Sequence, residues 1–488
     1  MDGLLSWGLP VLRGGLGNLA AYLAAHVLLC LLPAFFIAGA MAALIPKETV
    51  TRFLGRNSSK MVSYPAAAAA GSLLAVCSCT IVPLFAGIYK KGAGLGPAIT
   101  FLFFAPAANI LALVYTGGII GPDLAIARLL LSLTFGIGIG LIMALLFRAD
   151  DVAHDLATDS PFAARGEGMG RAPLVFLFVW VALLLAGTLK LGVLTGSYLH
   201  IDLPLHDARH WQGVLDQLVP YDAAKGEEGV SLQGALLIVL LAGIGISAWR
   251  GLENIQDGAN LWTHLSLALI AATLLAAALS VQAVPEGLRI GLTGKFFGVA
   301  LSLAVLYAIA RRQLSADEVR DWLWESWRFV KQIFPLLVAG VFVVGMIRVL
   351  IRPEWIELLA GANTLTGNLA GVAFGVFMYF PTLVEVPIAR MFLDLGMHRG
   401  PLLAYLMADP ELSLQSILII AAIIGRRKTA TYVALVALFS TIAGLTYGAW
   451  VDGSSLLVLA LWLAGFIAVL AALLVLAGRH GRTSLKGV

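Results

Sequence analysis

A chain of 488 residues that is 60% hydrophobic and only 12% charged, with a mean hydropathy of +0.92, lies outside the composition of soluble globular domains and reads as an all-α polytopic membrane protein. Its net charge of +4 is modest, and the basic residues sit beside apolar segments, which reads as topology and excludes a nucleic-acid partner. Three cysteines, Cys30, Cys77 and Cys79, are too few for a disulfide framework.

The uncharged run 18–46 is too long for the apolar region of a signal peptide and lacks a small-residue cleavage site, so the first helix is expected to stay. Apolar stretches then fall at roughly 19–46, 61–89, 95–120, 124–147, 172–192, 231–249, 261–284, 290–310, 333–351, 366–393, 400–424, 429–449 and 455–477. Polar connectors separate them: 47–60, the Asp-rich 149–171, the acidic 193–229, and 311–332. The last reads as an interfacial helix with Trp322, Trp324 and Trp327 as headgroup anchors.

The stretch 61–89 contains no Asp, Glu, Lys or Arg, yet its middle holds Cys77, Ser78, Cys79, Thr80 and Pro83. A break at membrane depth, with Pro83 in the first turn of a second half-helix, would explain that polarity. Two thiols one residue apart form a soft ligand pair for As(III), Cu(I), Zn(II) or Hg(II). They could also exchange disulfides, or serve only as small residues in tight helix packing.

The chain repeats itself. Shifted by 304 residues, Gly71 falls on Gly375, Pro83 on Pro387, Gly92 on Gly396, Gly96 on Gly400, Pro97 on Pro401 and Pro106 on Pro410, without a gap. Pro33 meets Pro335 at an offset of 302. The matching break, 380–387, replaces the thiols with Thr382 and Glu385. An unpaired charge in so apolar a run is expensive, so Glu385 is expected to titrate, to bind a cation or to pair with Arg390. Asn109 follows Pro106, whereas Asp409 and Glu411 bracket the corresponding Pro410. Carboxyls beside a helix break suit a proton or cation relay, or else a solvated cavity mouth.

Basic residues decide orientation. If 61–89 and 366–393 both cross the bilayer, the loops hold 14 Lys and Arg inside against 13 outside; if both are re-entrant, the count is 21 against 6. The expected fold therefore has about 11 spanning helices, two re-entrant hairpins and two inverted repeats, with the N-terminus outside and the C-terminus cytoplasmic. Its divisions are a first repeat at 1–148, central helices and loops at 149–332, a second repeat at 333–454, and a C-terminal helix and basic tail at 455–488.

Other features read more plainly. His200, His206 and His210 with Asp202 and Asp207 offer an external metal site or merely a wet loop. Gly136, Gly138 and Gly140 suit close helix packing rather than nucleotide binding. Arg128, inside a spanning segment, either attracts an anion or pairs and snorkels. Cys30 and His26, one turn apart, read as packing. No phosphate-binding Gly-rich loop ending in Gly-Lys-Ser/Thr occurs, so no ATP hydrolysis and no cofactor is expected.

Cys77-Ser-Cys79-Thr-Ile-Val-Pro83-Leu, with Gly87, Lys90-Lys91-Gly92, Gly96 and Phe101-Leu-Phe-Phe-Ala-Pro106-Ala-Ala-Asn109, resembles the signature of the ArsP-type permeases over roughly 20–148 and 333–450. Many such permeases carry a further cysteine-containing motif where this chain has Pro381-Thr-Leu-Val-Glu385-Val-Pro387. The resemblance implies a prokaryotic inner-membrane efflux permease, some relatives exporting trivalent organoarsenicals, with Cys77 and Cys79 at the substrate site. The expectation is thus a non-enzymatic, proton-coupled exporter of a thiophilic solute. Cys77, Ser78, Cys79, Thr80, Pro83, Asn109, Thr382 and Glu385 would line its site, and Glu385, Asp409 and Glu411 would couple ions. Lipid and a small thiophilic substrate are the expected partners, and the sequence leaves the oligomeric state open. The alternative is a membrane-embedded thiol–disulfide oxidoreductase that passes electrons through Cys77 and Cys79 to a soluble redox partner.

Overall fold

A computed structural model describes residues 2–24, 27–45, 47–55, 58–73, 78–158, 171–188, 192–204, 208–219, 229–284, 287–350, 354–377, 382–455, 457–465 and 468. The first half of the chain carries α1 (Asp2–Ala24), α2 (Val27–Leu44), α3 (Lys47–Leu54), α4 (Lys60–Leu73), α5 (Ser78–Lys90), α6 (Leu95–Ala107), α7 (Ile110–Ile119), α8 (Pro122–Leu146) and α9 (Arg148–Thr158). The middle adds α10 (Arg171–Thr188), α11 (Gly192–Thr195), β1 (Ser197–Leu203), α12 (Ala208–Leu218), α13 (Leu232–Gly251), α14 (Leu261–Ala277), β2 (Ser280–Val284), β3 (Gly287–Thr293) and α15 (Gly294–Arg312). There follow α16 (Ala316–Arg348), α17 (Glu354–Ala360), α18 (Leu365–Phe377), α19 (Thr382–Asp394), α20 (Arg399–Leu412), α21 (Leu414–Ile424) and α22 (Arg426–Val451). Among the described residues six helical spans are long and apolar enough to cross a bilayer. The bent pair α20–α21, at 46°, makes a seventh.

Contacts divide the chain into two compact units. The first comprises Met1–Thr49, Ala75–Lys91 and Ala164–Leu350. In it α16 packs along α1 and α2. The expectation of an interfacial helix over 311–332 is overturned here. Residues 316–348 form one uninterrupted helix, started by a Ser315–Glu318 capping box, and Trp322 is a core residue. Its ring meets Phe176 edge-on at 4.8 Å, and its indole N–H donates to the Phe36 carbonyl at 3.0 Å. Phe36 in turn stacks on Trp180 at 4.8 Å. Buried indoles find acceptors, and this cluster supplies one where the interface reading left the ring in lipid headgroups.

Trp327 is buried too, and its N–H donates to Glu253 at 2.6 Å, beside Lys331, which donates to both Glu253 oxygens. The Lys331 hydrogen bond, followed by that of Trp327, holds the Glu253 carboxyl below its usual 4.5. A carboxyl depressed in the folded state stabilises fully above its unfolded pKa and loses that contribution as pH falls through the folded value. The site is partly exposed, so the term is under about 1 kcal/mol. Between pH 5 and 3 the melting temperature should fall less steeply in Glu253→Gln than in the parent, read by circular dichroism in detergent.

The stretches 261–284 and 290–310, expected as two membrane helices, carry a sheet between them. Val281 alternates with Ser280 and Gln282, and Leu288, Ile290 and Leu292 alternate with Gly287, Arg289 and Gly291, at period two. They form β2 and β3, and β1 completes an antiparallel sheet in the order β1-β3-β2. Across β1 and β3, Arg289 donates to Asp202 at 2.8 Å, which holds that carboxyl below its ordinary range.

The second unit comprises Val50–Leu74, Gly92–Ala163 and Ile351–Val488. Its centre is a pair of short helices, α6 and α20. Every residue of α6 is buried, as is every residue of α20 from Gly400 onward. Both end at a break, Ala108–Asn109 and Ser413 respectively, followed by the short helices α7 and α21. Glycines set the approach of the flanking helices. Gly96 of α6 lies against Gly140 of α8, and Gly400 of α20 against Gly444 of α22. Gly71 of α4 meets Ala105, and Gly375 of α18 meets Asp409. All of these pairs are related by the 304-residue shift. Element starts obey it as well, α5 at Ser78 with α19 at Thr382, and α7 at Ile110 with α21 at Leu414. Gly92 and Gly396, with φ of 87° and 91°, turn the chain into α6 and α20, a left-handed conformation that suits glycine.

Within this unit α8 and α22 run antiparallel. Lys428, at the start of α22, pairs with Asp150 beyond the end of α8 at 3.4 Å. At the opposite end, Tyr447 donates to Asp123 in the first turn of α8 at 2.7 Å, and Arg399 pairs with the same carboxylate at 2.9 Å.

Candidate functional site

The two helix breaks create the polar groups around which the site is built. A helix end leaves carbonyls without partners, and at membrane depth no water satisfies them. After α6 the chain restarts at Asn109, buried to 1%, whose side-chain oxygen accepts the Ala112 N–H at 2.8 Å and so caps α7. The freed carbonyl of Ala107 accepts from Arg128 Nε at 2.7 Å. Arg128 belongs to α8 and is fully buried. Its fork also reaches the Thr116 hydroxyl on α7 at 3.3 Å and Glu385 Oε1 on α19 at 3.0 Å. One guanidinium thus ties together the end of α6, the helix after the break and the carboxylate of the second half.

Glu385 is likewise fully buried. It sits four residues into α19, where the positive end of the helix dipole favours an anion. The bland expectation that it pairs with Arg390 is overturned. Arg390 bonds Asp394 one turn on, both half exposed, because its position on α19 faces away from the buried side that carries Glu385. Glu385 Oε2 has no hydrogen-bond partner among the described residues.

On α20 the two expected carboxyls are buried, Asp409 at 0% and Glu411 at 2%. The reading of a solvated cavity mouth is therefore set aside for both. Glu411 Oε2 accepts from the Tyr432 hydroxyl of α22 at 2.6 Å, while Oε1 has no partner among the described residues. Glu411 also lies close enough to Glu385 and Arg128 to feel their charges. Beyond the break, Ser413 donates to Ser416 at 2.8 Å, and the side-chain amide of buried Gln415 is unpartnered at both its atoms among the described residues. Arg128, Glu385 and Glu411, within range of one another's charges in a dry environment, can hold little net charge. Such a set balances its charge by taking protons or admitting a cation.

The other expected site residues fall elsewhere. Cys77 lies outside the described residues, as do His26, His206 and Asp207. Ser78, Cys79 and Thr80 open α5, and Thr382 opens α19; only their backbone is described, as is the case for Cys30 in α2. Pro83 is buried and stands sixth in α5 rather than in its first turn, the helix having begun at Ser78. Among the described residues no three His, Cys, Asp or Glu side chains group as a metal site. Asp202 is engaged with Arg289 instead.

Sequence reasoning missed Tyr432 and Gln415 and left Arg128 without its partner. The repeat held a signal for Tyr432, which is the 304-residue counterpart of Arg128. Both positions serve a carboxyl of the second half, one as a cation and one as a hydroxyl.

Comparison with known proteins agrees with this architecture. Residues 14–449 match a family described as predicted permeases, ArsP_1. The UPF0718 protein MJ0584 of Methanocaldococcus jannaschii is 31% identical over 445 residues, covering 91% of this chain and 98% of its own. No solved structure matches the chain.

Proposed function

The chain belongs to that predicted permease family, which points to a multi-pass membrane transporter rather than an enzyme, and on this premise we propose a proton-coupled secondary efflux permease for a thiophilic solute, a trivalent arsenical or a soft metal ion. The observation that carries the coupling is the fully buried set of Arg128, Glu385, Asp409 and Glu411 at the paired helix breaks. A transporter needs groups that change charge between access states, and intramembrane carboxyls beside a buried cation are suited to that. In this reading Glu385, with Asp409 or Glu411, exchanges protons. Cys77 and Cys79 supply soft ligands to the solute, and Ser78, Thr80, Pro83, Asn109 and Thr382 shape its surroundings.

Support for two inverted halves comes from the gapless 304-residue correspondence of elements and from the antiparallel run of α8 and α22. Such pairing of broken, opposed helices is how many secondary transporters alternate access. Support for the orientation comes from charge. Arg148, Lys428 and, by sequence, Arg426 and Arg427 gather at one end of the second unit, which the positive-inside rule assigns to the cytoplasm of a cell inner membrane.

The test is uptake of a trivalent organoarsenical into everted membrane vesicles with an imposed proton gradient. Transport should be lost in the paired Cys77→Ser, Cys79→Ser variant and in Glu385→Gln, with both variants present in the membrane at parental levels. Parental transport rates in both would overturn the reading.

A further inference from the structure

Arg128 bonds one buried carboxyl and stands within electrostatic range of a second. Among the described residues, the groups that can hold or exchange charge in the buried core of the second unit include Arg128 on α8, Glu385 on α19, Tyr405, Asp409 and Glu411 on α20, and Tyr432 on α22. From α6 and α7 come the Ala107 carbonyl and the Thr116 hydroxyl. Tyr64 of α4 lies against Gly140 of α8, about three turns from Arg128. Two of the guanidinium nitrogens are anchored, Nε to Ala107 and Nη1 to Thr116, and these bonds fix the fork whatever Nη2 does. Nη2 alone reaches Glu385. Glu411 lies within range of both charges and keeps Oε1 unpartnered among the described residues, while Tyr432 holds its other oxygen. The arrangement is an anchored cation with one bonded carboxylate and one waiting acceptor.

We propose that Arg128 is a shared counter-ion, paired with Glu385 in the state seen here and with Glu411 once Glu385 takes up a proton. The positive charge then stays in place while the ionised carboxylate changes from α19 to α20, so that the buried set keeps its charge balance through a transport cycle. The idea rests on the proton-coupled reading above, but it makes a claim about charge pairing that needs no substrate. The proton released by Glu411 on pairing balances the one gained by Glu385, and no net charge enters the core in the exchange. Arg128 is in these terms a positioning residue for the coupling groups.

The experiment uses the full chain in lipid nanodiscs. Melting temperatures are compared for the parent, Glu385→Gln, Glu411→Gln, the double variant, and the double variant with Arg128→Met. Each single change leaves the guanidinium one carboxylate, so each loss should be small. The double change leaves it none from this pair, and its loss should exceed the sum of the singles about twofold or more. Arg128→Met should then restore much of that loss. Infrared difference spectra give a readout that packing alone would not move. Glu411→Gln should remove a protonated-carboxyl band from the parent but none from the Glu385→Gln background, where Glu411 is already ionised. Additive melting losses, no recovery with Arg128→Met, or the same band lost in both backgrounds would each overturn the proposal. These readouts are independent of the vesicle assay, so a failed transport assay and a failed counter-ion test are separate results.

Discussion

Replacing Arg128 with methionine is expected to destabilise the protein by about 3–5 kcal/mol, the usual penalty for removing one partner of a buried ion pair. Three acceptors lose their donor at once: the Ala107 carbonyl, the Thr116 hydroxyl and the Glu385 carboxylate. None of the three has water to turn to. Arg128→Lys should recover only part of the loss, because an ammonium cannot serve three acceptors with the geometry of a planar fork. Combining Arg128→Met with Glu385→Gln should recover more, since it removes the orphaned charge as well as its partner. Melting temperatures in nanodiscs decide the order, which is expected to be parent, double variant, Arg128→Lys, Arg128→Met. A double variant no more stable than Arg128→Met would show that the ion pair contributes little.

The second large effect is steric. Gly140→Ala and Gly444→Ala should each destabilise by about 1–3 kcal/mol through overpacking. A Cβ at Gly140 would lie 2.6 Å from the Gly96 carbonyl oxygen, and one at Gly444 would lie 2.6 Å from that of Gly400. Backbone cannot rotate aside as a side chain can, so α8 must move from α6, and α22 from α20. Gly138 on α8 is the internal control, because a Cβ there meets only the Phe439 ring at 3.7 Å. Gly138→Ala should therefore be neutral or stabilising by a few tenths up to about 1 kcal/mol, the helix-propensity gain over glycine. Chemical denaturation of the three variants in mixed micelles would separate them. Equal losses at all three positions would mean that helix propensity, not close approach, governs this face.

The close packing read from Gly136, Gly138 and Gly140 is thus carried chiefly by two of them. Gly140 meets backbone, and Gly136 lies under the Phe103 ring. A three-glycine face marks a close approach in sequence, but which glycine is needed depends on the rotation of the neighbouring helix. The same limit explains the tryptophans of α16. Their spacing in a charged segment is compatible with an interface helix, and only the partners Phe36, Phe176 and Trp180, all more than 100 residues away in sequence, place Trp322 in a core.

Composition and periodicity by themselves determined that this is a helical membrane protein and that glycines and prolines of its two halves correspond at a shift of 304 residues. These properties are local or repetitive: hydropathy is summed along the chain, and a repeat is visible wherever glycine and proline recur in register. The tertiary structure decided who pairs with whom. Arg390, five residues from Glu385, looked like its natural partner, whereas Arg128, 257 residues away, holds it in the structure. The physical reason is burial. A carboxylate withdrawn from both water and lipid selects whatever cation the fold brings to it in a dry core, and separation along the chain carries no information about that choice.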